Sequence, residues 1–140
     1  TRTCDAGIVL KAGVTELLDH LEAAGLPRAI ATSSSHRAVQ AHLGQSGVLP
    51  RFHEVIARGD YARGKPNPDP FLKAAERLGV APAHCLALED SHNGVRAASA
   101  AGMMTVMVPD LLDATEEMHG LCVRIARDLH EVREMLAAQG

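Results

Sequence analysis

Tryptophan is absent from the 140 residues, and aromatic residues make up only 2% of them. The chain therefore offers no platform on which a nucleobase or a sugar ring would stack. It also lacks an apolar run approaching the ~20 residues of a membrane span, and its first residues contain no apolar signal-peptide core. Because the net charge is only -3, we expect neither a nucleic-acid nor a membrane partner. The remaining composition, 46% hydrophobic and 22% charged, is typical of one globular domain.

Cysteines are few and scattered. The chain has three of them, Cys4, Cys85 and Cys122, and the last two lie at or within apolar runs. An odd number in such positions favours buried free thiols in a reducing, cytoplasmic setting over a disulfide framework. The eight histidines show no zinc-finger or His-x-x-x-His spacing, so most of them are predicted to be surface residues.

Short apolar runs alternate with amphipathic segments along the chain. The runs are continuously apolar, which is typical of parallel strands that are buried on both faces of a sheet. Predicted strands cover residues 28–34, 52–58, 85–90, 104–109 and, as a short one, 121–126. Predicted helices cover residues 14–24, 36–43 with Ser35 as a candidate cap, a segment that starts at Asn67-Pro68-Asp69 and runs up to Gly79, and residues 92–101. A last helix is predicted where Asp128 and Glu131 have capping-box spacing. The sequence therefore predicts an α/β fold with a doubly wound parallel sheet.

Polar side chains follow four of the predicted strands at their carboxyl ends. The first strand delivers a run of hydroxyls at 32–34, and the loop after the second delivers Lys65. The third strand delivers the adjacent acids Glu89 and Asp90, and the fourth delivers Asp110. Ligands of open parallel sheets bind outside this edge, so we expect these groups to converge on one ligand.

The residue types at this edge suit a phosphate and a metal ion. Hydroxyls and N–H groups at a helix start can hold phosphate oxygens, a lysine offsets their charge, and carboxylates hold Mg²⁺. Each feature also has an ordinary explanation. The hydroxyl run can be a capping loop, the lysine can be solvated, and the acid pair can be a helix cap with an exposed neighbour. Their combination at consecutive strand ends is much more specific than any one of them.

Three stretches resemble motifs of the haloacid dehalogenase superfamily. They are LPRAIATSSS, GKPNPDPF and CLALEDSHNGVRAASAAGMMTVMV, and the resemblance covers about residues 10–135. More narrowly, they resemble the branch with β-phosphoglucomutase and phosphoglycolate phosphatase. This resemblance implies that Thr32 and Ser33 bind the transferring phosphoryl group. It also implies that Lys65 steadies the nucleophile and the phosphate, and that Asp90, assisted by Glu89, holds Mg²⁺.

The same resemblance gives weaker candidates for contacts with the rest of the substrate. Ser34, Ser35 and His36 align with a region that touches the distal end of the substrate in related mutases. Asn67, within the GKPNPD stretch, is a further candidate of this kind. The implied substrate is a small phosphorylated metabolite, whose identity is read mostly by a cap domain that this sequence hardly contains.

The superfamily's nucleophile motif, Asp-x-Asp-Gly-Thr/Val, has no counterpart here, because the sequence contains no Asp-x-Asp. The stretch CDAGIVL, residues 4–10, partly matches the motif but lacks the second acid. Residues 1–3 before it cannot supply a buried strand. We therefore interpret residues 1–12 as a linker from the cap and 13–140 as a partial core. The predicted sheet lacks its central first strand, which leaves a gap of about 9–10 Å that a missing N-terminal segment of the same protein would fill.

Several functions are compatible with these residues. The leading one is a Mg²⁺-dependent phosphatase or phosphomutase that works through an aspartyl-phosphate, with the nucleophile outside this chain. The alternative is a catalytically inert fragment or a binding domain. A metal-independent haloacid dehalogenase is less favoured, because Glu89 and Asp90 would then have little to do. A receiver-type domain would need its acids in a different order along the strands.

Overall fold

The computed structural model describes residues 2–5, 13–109 and 113–139. The strands are β1 (Arg2–Asp5), β2 (Arg28–Ser35), β3 (Glu54–Arg58), β4 (Cys85–Glu89), β5 (Met104–Met107) and β6 (Arg124–Ile125). The helices are α1 (Val14–Ala23), α2 (His36–Leu43), α3 (Asp69–Leu78), α4 (His92–Ala100), α5 (Glu116–Leu121) and α6 (Leu129–Gln139). None of the helices in these described ranges is long and apolar enough to cross a membrane.

The strands form one parallel sheet in the order β3-β2-β1-β4-β5-β6, which confirms the predicted α/β class. Successive residues of a strand point to opposite faces, and the two faces here differ in side-chain size. Alanines of β2 and β4 pack with α3 and α4 in one core cluster, while Leu86 and Leu88 pack with α1 and α6 in another. The small residues let α3 and α4 lie close to the sheet, directly beside the strand ends discussed below.

Capping side chains predicted the starts of two helices. Ser35 was predicted to cap α2, and its Oγ accepts a hydrogen bond of 3.1 Å from the Ala38 N–H. Asp128 was predicted to cap the last helix, and its Oδ1 accepts a hydrogen bond of 2.9 Å from the Glu131 N–H. The short helix α5 was not predicted, because only one of its six residues, Met118, is buried.

The centre of the sheet differs from the sequence-based expectation. Strands β2 and β4 do not pair with each other, as expected, but the position between them is not vacant. It holds β1, which pairs in parallel with both neighbours and places Asp5 beside Ile30 and Leu88. The prediction of a sheet without a central strand is therefore wrong for this structure. The physical reason is that two buried strand edges need backbone partners, which any extended segment can supply, including one with little apolar character.

The predicted boundary between linker and core, at residues 12 and 13, also involves the N-terminal residues. Of the predicted linker at 1–12, residues 2–5 belong to the sheet, and residues 6–12 lie outside the described part of the chain. The assignment of 13–140 to a partial core stays a prediction. Asp110, which was expected to follow the fourth strand, also lies outside the described residues.

Candidate active site

The carboxyl end of β2 is irregular where the predicted hydroxyls lie. Its pairing with β3 shifts register between Ala31 and Ser35, so residues 32–34 leave the regular ladder. Such irregularities re-aim side chains at the edges of sheets. Here the Thr32 Oγ1 accepts a hydrogen bond of 3.1 Å from the Ser34 N–H. The Thr32 carbonyl accepts one of 2.8 Å from the Tyr61 hydroxyl. The Thr32 hydroxyl and backbone are thus both fixed.

The residues that follow are tied to protein partners. Ser35 caps α2, and the His36 Nε2 lies 2.6 Å from the Asp60 Oδ2 in the loop after β3. The same Asp60 oxygen accepts a hydrogen bond of 2.9 Å from the Ala57 N–H, and this bond is the main reason why the pKa of Asp60 lies below its ordinary value. Contact of Ser34, Ser35 and His36 with a substrate stays a prediction.

Lys65 lies between the ends of β2 and β4. Its Nζ donates a hydrogen bond of 3.2 Å to the Ala31 carbonyl and one of 2.6 Å to the Glu89 Oε2. The same Nζ lies 5.2 Å from the centre of the Phe71 ring, a cation–π distance. The Lys65 side chain is only 10% exposed. Because Ala31 and Glu89 each follow the residues that pair with Asp5, the ammonium group lies just beyond the carboxyl end of β1.

Glu89 is an almost completely buried carboxylate, with its side chain 2% exposed. Its Oε2 accepts from Lys65, and its Oε1 accepts from the Asp90 N–H at 3.0 Å and from the Ser91 N–H and hydroxyl at 3.3 Å. Burial raises the pKa of Glu89, while the Lys65 ammonium acts in the opposite direction. All four contacts come from donors, so the geometry is that of the ionised carboxylate. The sequence interpretation gave the acid pair a metal as its positive partner, but for Glu89 that partner is Lys65.

The start of α4 is shaped around the Glu89 carboxyl group. Ser91 caps this helix, and its Oγ accepts a hydrogen bond of 3.0 Å from the Gly94 N–H. A Cβ atom on Gly94 would overlap the Glu89 side chain at Cγ, Cδ and Oε1. The helix approaches the carboxylate this closely only because residue 94 has no side chain. Gly94 is therefore part of the site, although it contributes no functional group.

Asp90 follows β4 directly and is half-buried. It is the residue that best fits a magnesium ion, since Mg²⁺ is bound in proteins by one or two carboxylates, several waters and substrate phosphate. Among the described residues, no group of three or more His, Cys, Asp or Glu side chains converges on one point. The donor set fits a metal that is completed by water and phosphate, and it does not form a closed protein cage.

Most of the predicted site residues lie at this edge of the sheet. Asn67, a candidate for contact with the substrate, has a hydrogen bond within its own loop, in which its Nδ2 donates to the Gly64 carbonyl at 3.0 Å.

Sequence reasoning missed the roles of Tyr61, Phe71 and Gly94. Tyr61 acts on Thr32, 29 residues earlier, while Phe71 and Gly94 contact Lys65 and Glu89 within the same region of the chain. Gly94 alone carried a signal, as a glycine in the first turn of a predicted helix.

The fold and the site define a class of protein. Hydroxyls, a buried lysine and a carboxylate lie at neighbouring strand ends of a parallel sheet, the edge at which ligands of such sheets bind. A profile of the haloacid dehalogenase-like hydrolases matches residues 3–102. The chain belongs to this family, as its motifs predicted.

Two curated relatives show how similar the chain is to individual proteins. The chain is 42% identical over 118 residues to the plasmid-encoded protein CbbY of Cupriavidus necator, a match that covers 81% of this chain and 46% of the relative. It is 39% identical over 102 residues to hexitol phosphatase A of Escherichia coli, covering 73% of this chain and 47% of the relative. The chain thus spans about half the length of the curated relatives it matches.

A solved structure shows the same arrangement of elements. CbbY from Rhodobacter sphaeroides, in complex with phosphate, superposes with a TM-score of 0.78 at 32% identity. The superposition covers 87% of this chain and 55% of that structure.

Proposed function

We propose that the protein is a Mg²⁺-dependent phosphatase or phosphomutase that acts on a small phosphorylated metabolite through an aspartyl-phosphate. Thr32 and Ser33 would bind the transferring phosphoryl group, Lys65 would offset its charge, and Asp90 would hold the metal. The phosphatases among its relatives support this class of reaction.

The observation that carries the proposal is the position of Lys65. One buried ammonium group contacts β2 through Ala31 and β4 through Glu89, directly beyond the end of the central strand. The Thr32 and Ser33 hydroxyls belong to β2, and Asp90 directly follows β4, so these groups lie on either side of the central strand. A structural role alone does not require a cation here, since apolar residues of similar volume are often at least as stabilising as a buried ion pair.

Each residue of the proposed site has its own task in the reaction. Bound Mg²⁺ would supply a positive charge opposite the phosphoryl oxygens. Lys65 would bind the same oxygens from the protein side, and its fixed geometry means that little reorganisation is needed when charge develops. Thr32 and Ser33 would orient the phosphoryl group for in-line attack.

The nucleophile is proposed to lie outside this chain. The 140 residues contain no Asp-x-Asp, and the relatives are about twice as long as the part that matches. The reaction needs one aspartate to attack phosphorus and a second acid to move a proton to the leaving group. A segment of the full-length protein carrying both would complete the site.

The class of reaction is tested with p-nitrophenyl phosphate and the full-length protein. We expect hydrolysis that stops when EDTA is added and returns with excess Mg²⁺. Release of halide from a 2-haloacid that is unaffected by EDTA would instead identify a dehalogenase.

The metal-holding role is tested by Asp90→Asn. We expect turnover to fall by about 10²-fold or more, because the substitution removes a fixed charge from the reacting centre. Calorimetric titration should show weaker Mg²⁺ binding, and thermal unfolding in EDTA should be unchanged. Asp128→Asn is the matched control, since an asparagine still caps α6, which follows the edge strand β6 and not the central strands. Unchanged turnover in Asp90→Asn would mean that this acid has only a structural role.

The alternative of a catalytically inert chain is decided by assaying the 140 residues alone beside the full-length protein. Turnover by the long form only would support an external nucleophile. Turnover by the 140 residues would overturn that part of the proposal and direct attention to Asp5, which ends the central strand. No turnover by either form would favour a binding function.

A further inference from the structure

The stretch of β2 that carries the candidate phosphate-binding hydroxyls is not held by regular strand pairing. Register between β2 and β3 is lost after Ala31 and regained only at Ser35. The positions of the Thr32 and Ser33 hydroxyls therefore depend on contacts other than the ladder. These positions matter, because a displacement of about 1 Å is enough to impair a catalytic arrangement.

The loop after β3 supplies contacts to this stretch. The Tyr61 hydroxyl donates a hydrogen bond of 2.8 Å to the carbonyl of Thr32, the residue directly before Ser33. Beyond the irregular stretch, the Asp60 carboxylate contacts His36 at 2.6 Å. The loop thus touches β2 within the irregular stretch and again at the first residue of α2.

The loop is itself anchored where it makes these contacts. Asp60 donates its N–H to the Ala57 carbonyl and accepts the Ala57 N–H on its carboxylate, both at 2.9 Å, which closes a tight turn at the end of β3. Burial raises the pKa of Tyr61, so its hydroxyl keeps its proton at neutral pH and remains a donor. An anchored donor can fix the backbone that it contacts.

The loop lies between the core and the protein surface. Asp60 and Tyr61 also line an open groove of about 460 Å³ between the loop and α3. The ring of Tyr61 packs against the core cluster that contains Ala29, Ala31 and Phe71, and its hydroxyl joins this packed ring to the irregular stretch through Thr32.

We propose that Tyr61, supported by the contact between Asp60 and His36, is a positioning residue that fixes the Thr32 and Ser33 hydroxyls relative to Lys65 and thereby sets the affinity for phosphate. This inference rests on the proposed function of the same site. It assigns Tyr61 no direct contact with the reacting atoms.

The test is Tyr61→Phe in the full-length protein, which removes one oxygen atom and keeps the ring. We expect the inhibition constant for inorganic phosphate and the KM for p-nitrophenyl phosphate to rise by about 3- to 10-fold, the range that one net hydrogen bond corresponds to. Amide hydrogen exchange at residues 32–35 should become faster, because the irregular stretch loses its anchor.

Ser46→Ala is the matched control. It also removes a hydroxyl that donates to a backbone carbonyl, that of Leu43 at 2.6 Å, in a loop that contributes nothing to the site. Phosphate inhibition should keep its wild-type value in this variant. Equal weakening by both variants would reduce Tyr61 to general stability and overturn the inference.

Failure of the inference can be told apart from failure of the proposed function. If the wild-type protein hydrolyses phosphate esters and Tyr61→Phe changes phosphate inhibition by less than twofold, the positioning role is wrong. If the wild-type protein has no such activity, the proposed function is wrong. Hydrogen exchange at residues 32–35 then still decides whether Tyr61 fixes this stretch, since unchanged exchange would overturn that as well.

Discussion

Replacing Lys65 by methionine should lower both the activity and the stability of the full-length protein. Turnover of p-nitrophenyl phosphate should fall by about 10²-fold or more, because a fixed positive charge at the phosphoryl group is lost. The free energy of unfolding should fall by about 3–5 kcal/mol, because the buried Glu89 carboxylate then has no opposite charge. Urea unfolding and steady-state kinetics measure the two effects separately.

The stability loss in this variant should depend on pH in a defined direction. Burial already raises the pKa of Glu89 above its unfolded value, and loss of Lys65 removes the main opposing influence. A group with a raised pKa binds its proton more readily in the folded state, so the variant should gain stability as the pH falls towards that pKa and lose it as the pH rises. Stability that is equally low at all pH values would contradict a buried, unpaired carboxylate.

Two further variants separate charge from packing. Lys65→Met combined with Glu89→Gln should recover much of the stability but none of the activity, since no isolated charge remains buried. Lys73→Met removes a partly exposed lysine whose contact with Glu76 is 3.5 Å, and it should change the free energy of unfolding by roughly 0–1 kcal/mol. If Lys65→Met is as mild as Lys73→Met, the buried pair is unimportant.

Gly94→Ala should be nearly as damaging, although it alters no functional group. The added methyl group would occupy the space of the Glu89 carboxyl, which must then leave Lys65 and the N–H groups of α4. Insertion of a methyl group into a packed site costs roughly 1–3 kcal/mol. Activity should also fall by about 10²-fold, because the lysine loses the partner that holds it in place. Thermal unfolding and turnover provide the two readouts.

The control is another glycine to alanine change in a helix. Gly120 lies in α5, and a Cβ atom added there would meet no neighbouring atom within 4 Å. Gly120→Ala should therefore raise stability slightly, by up to ~1 kcal/mol. In the Gly94→Ala background, Glu89→Asp should restore part of the stability, because the shorter side chain makes room for the methyl group. Full activity in Gly94→Ala would show that Glu89 can move without consequence.

The predictable part of this molecule is the part encoded by neighbouring residues. Continuous apolar runs predicted β2, β4 and β5, and the side chains of Ser35 and Asp128 predicted where two helices begin. The convergence of Lys65 with the ends of β2 and β4 followed from the rule that ligands bind at the carboxyl edge of parallel strands. These inferences need only local patterns and the topology of the sheet.

What the sequence did not reveal depends on contacts across the chain. Strand β1 has no apolar pattern and owes its place to the pairing needs of β2 and β4. The pairing of Glu89 with Lys65, and the hydrogen bond from Tyr61 to Thr32, join residues 24 and 29 positions apart. Local periodicity carries no information on such pairs. A metal ion as the positive partner of both Glu89 and Asp90 was therefore an incomplete prediction, because Lys65 is the partner of Glu89.

The two hydrogen bonds of Lys65 also bear on how the protein acquires its site during folding. They join Lys65 to Ala31, 34 residues earlier, and to Glu89, 24 residues later. Contacts of this sequence separation form only after long loops have closed, which is slow compared with helix formation. Helical signal can thus recover while the lysine is still solvated, and the hydrogen bonds of Lys65 form only when β2 and β4 have docked on the central strand. Burial of the Lys65 ammonium group therefore marks the end of folding.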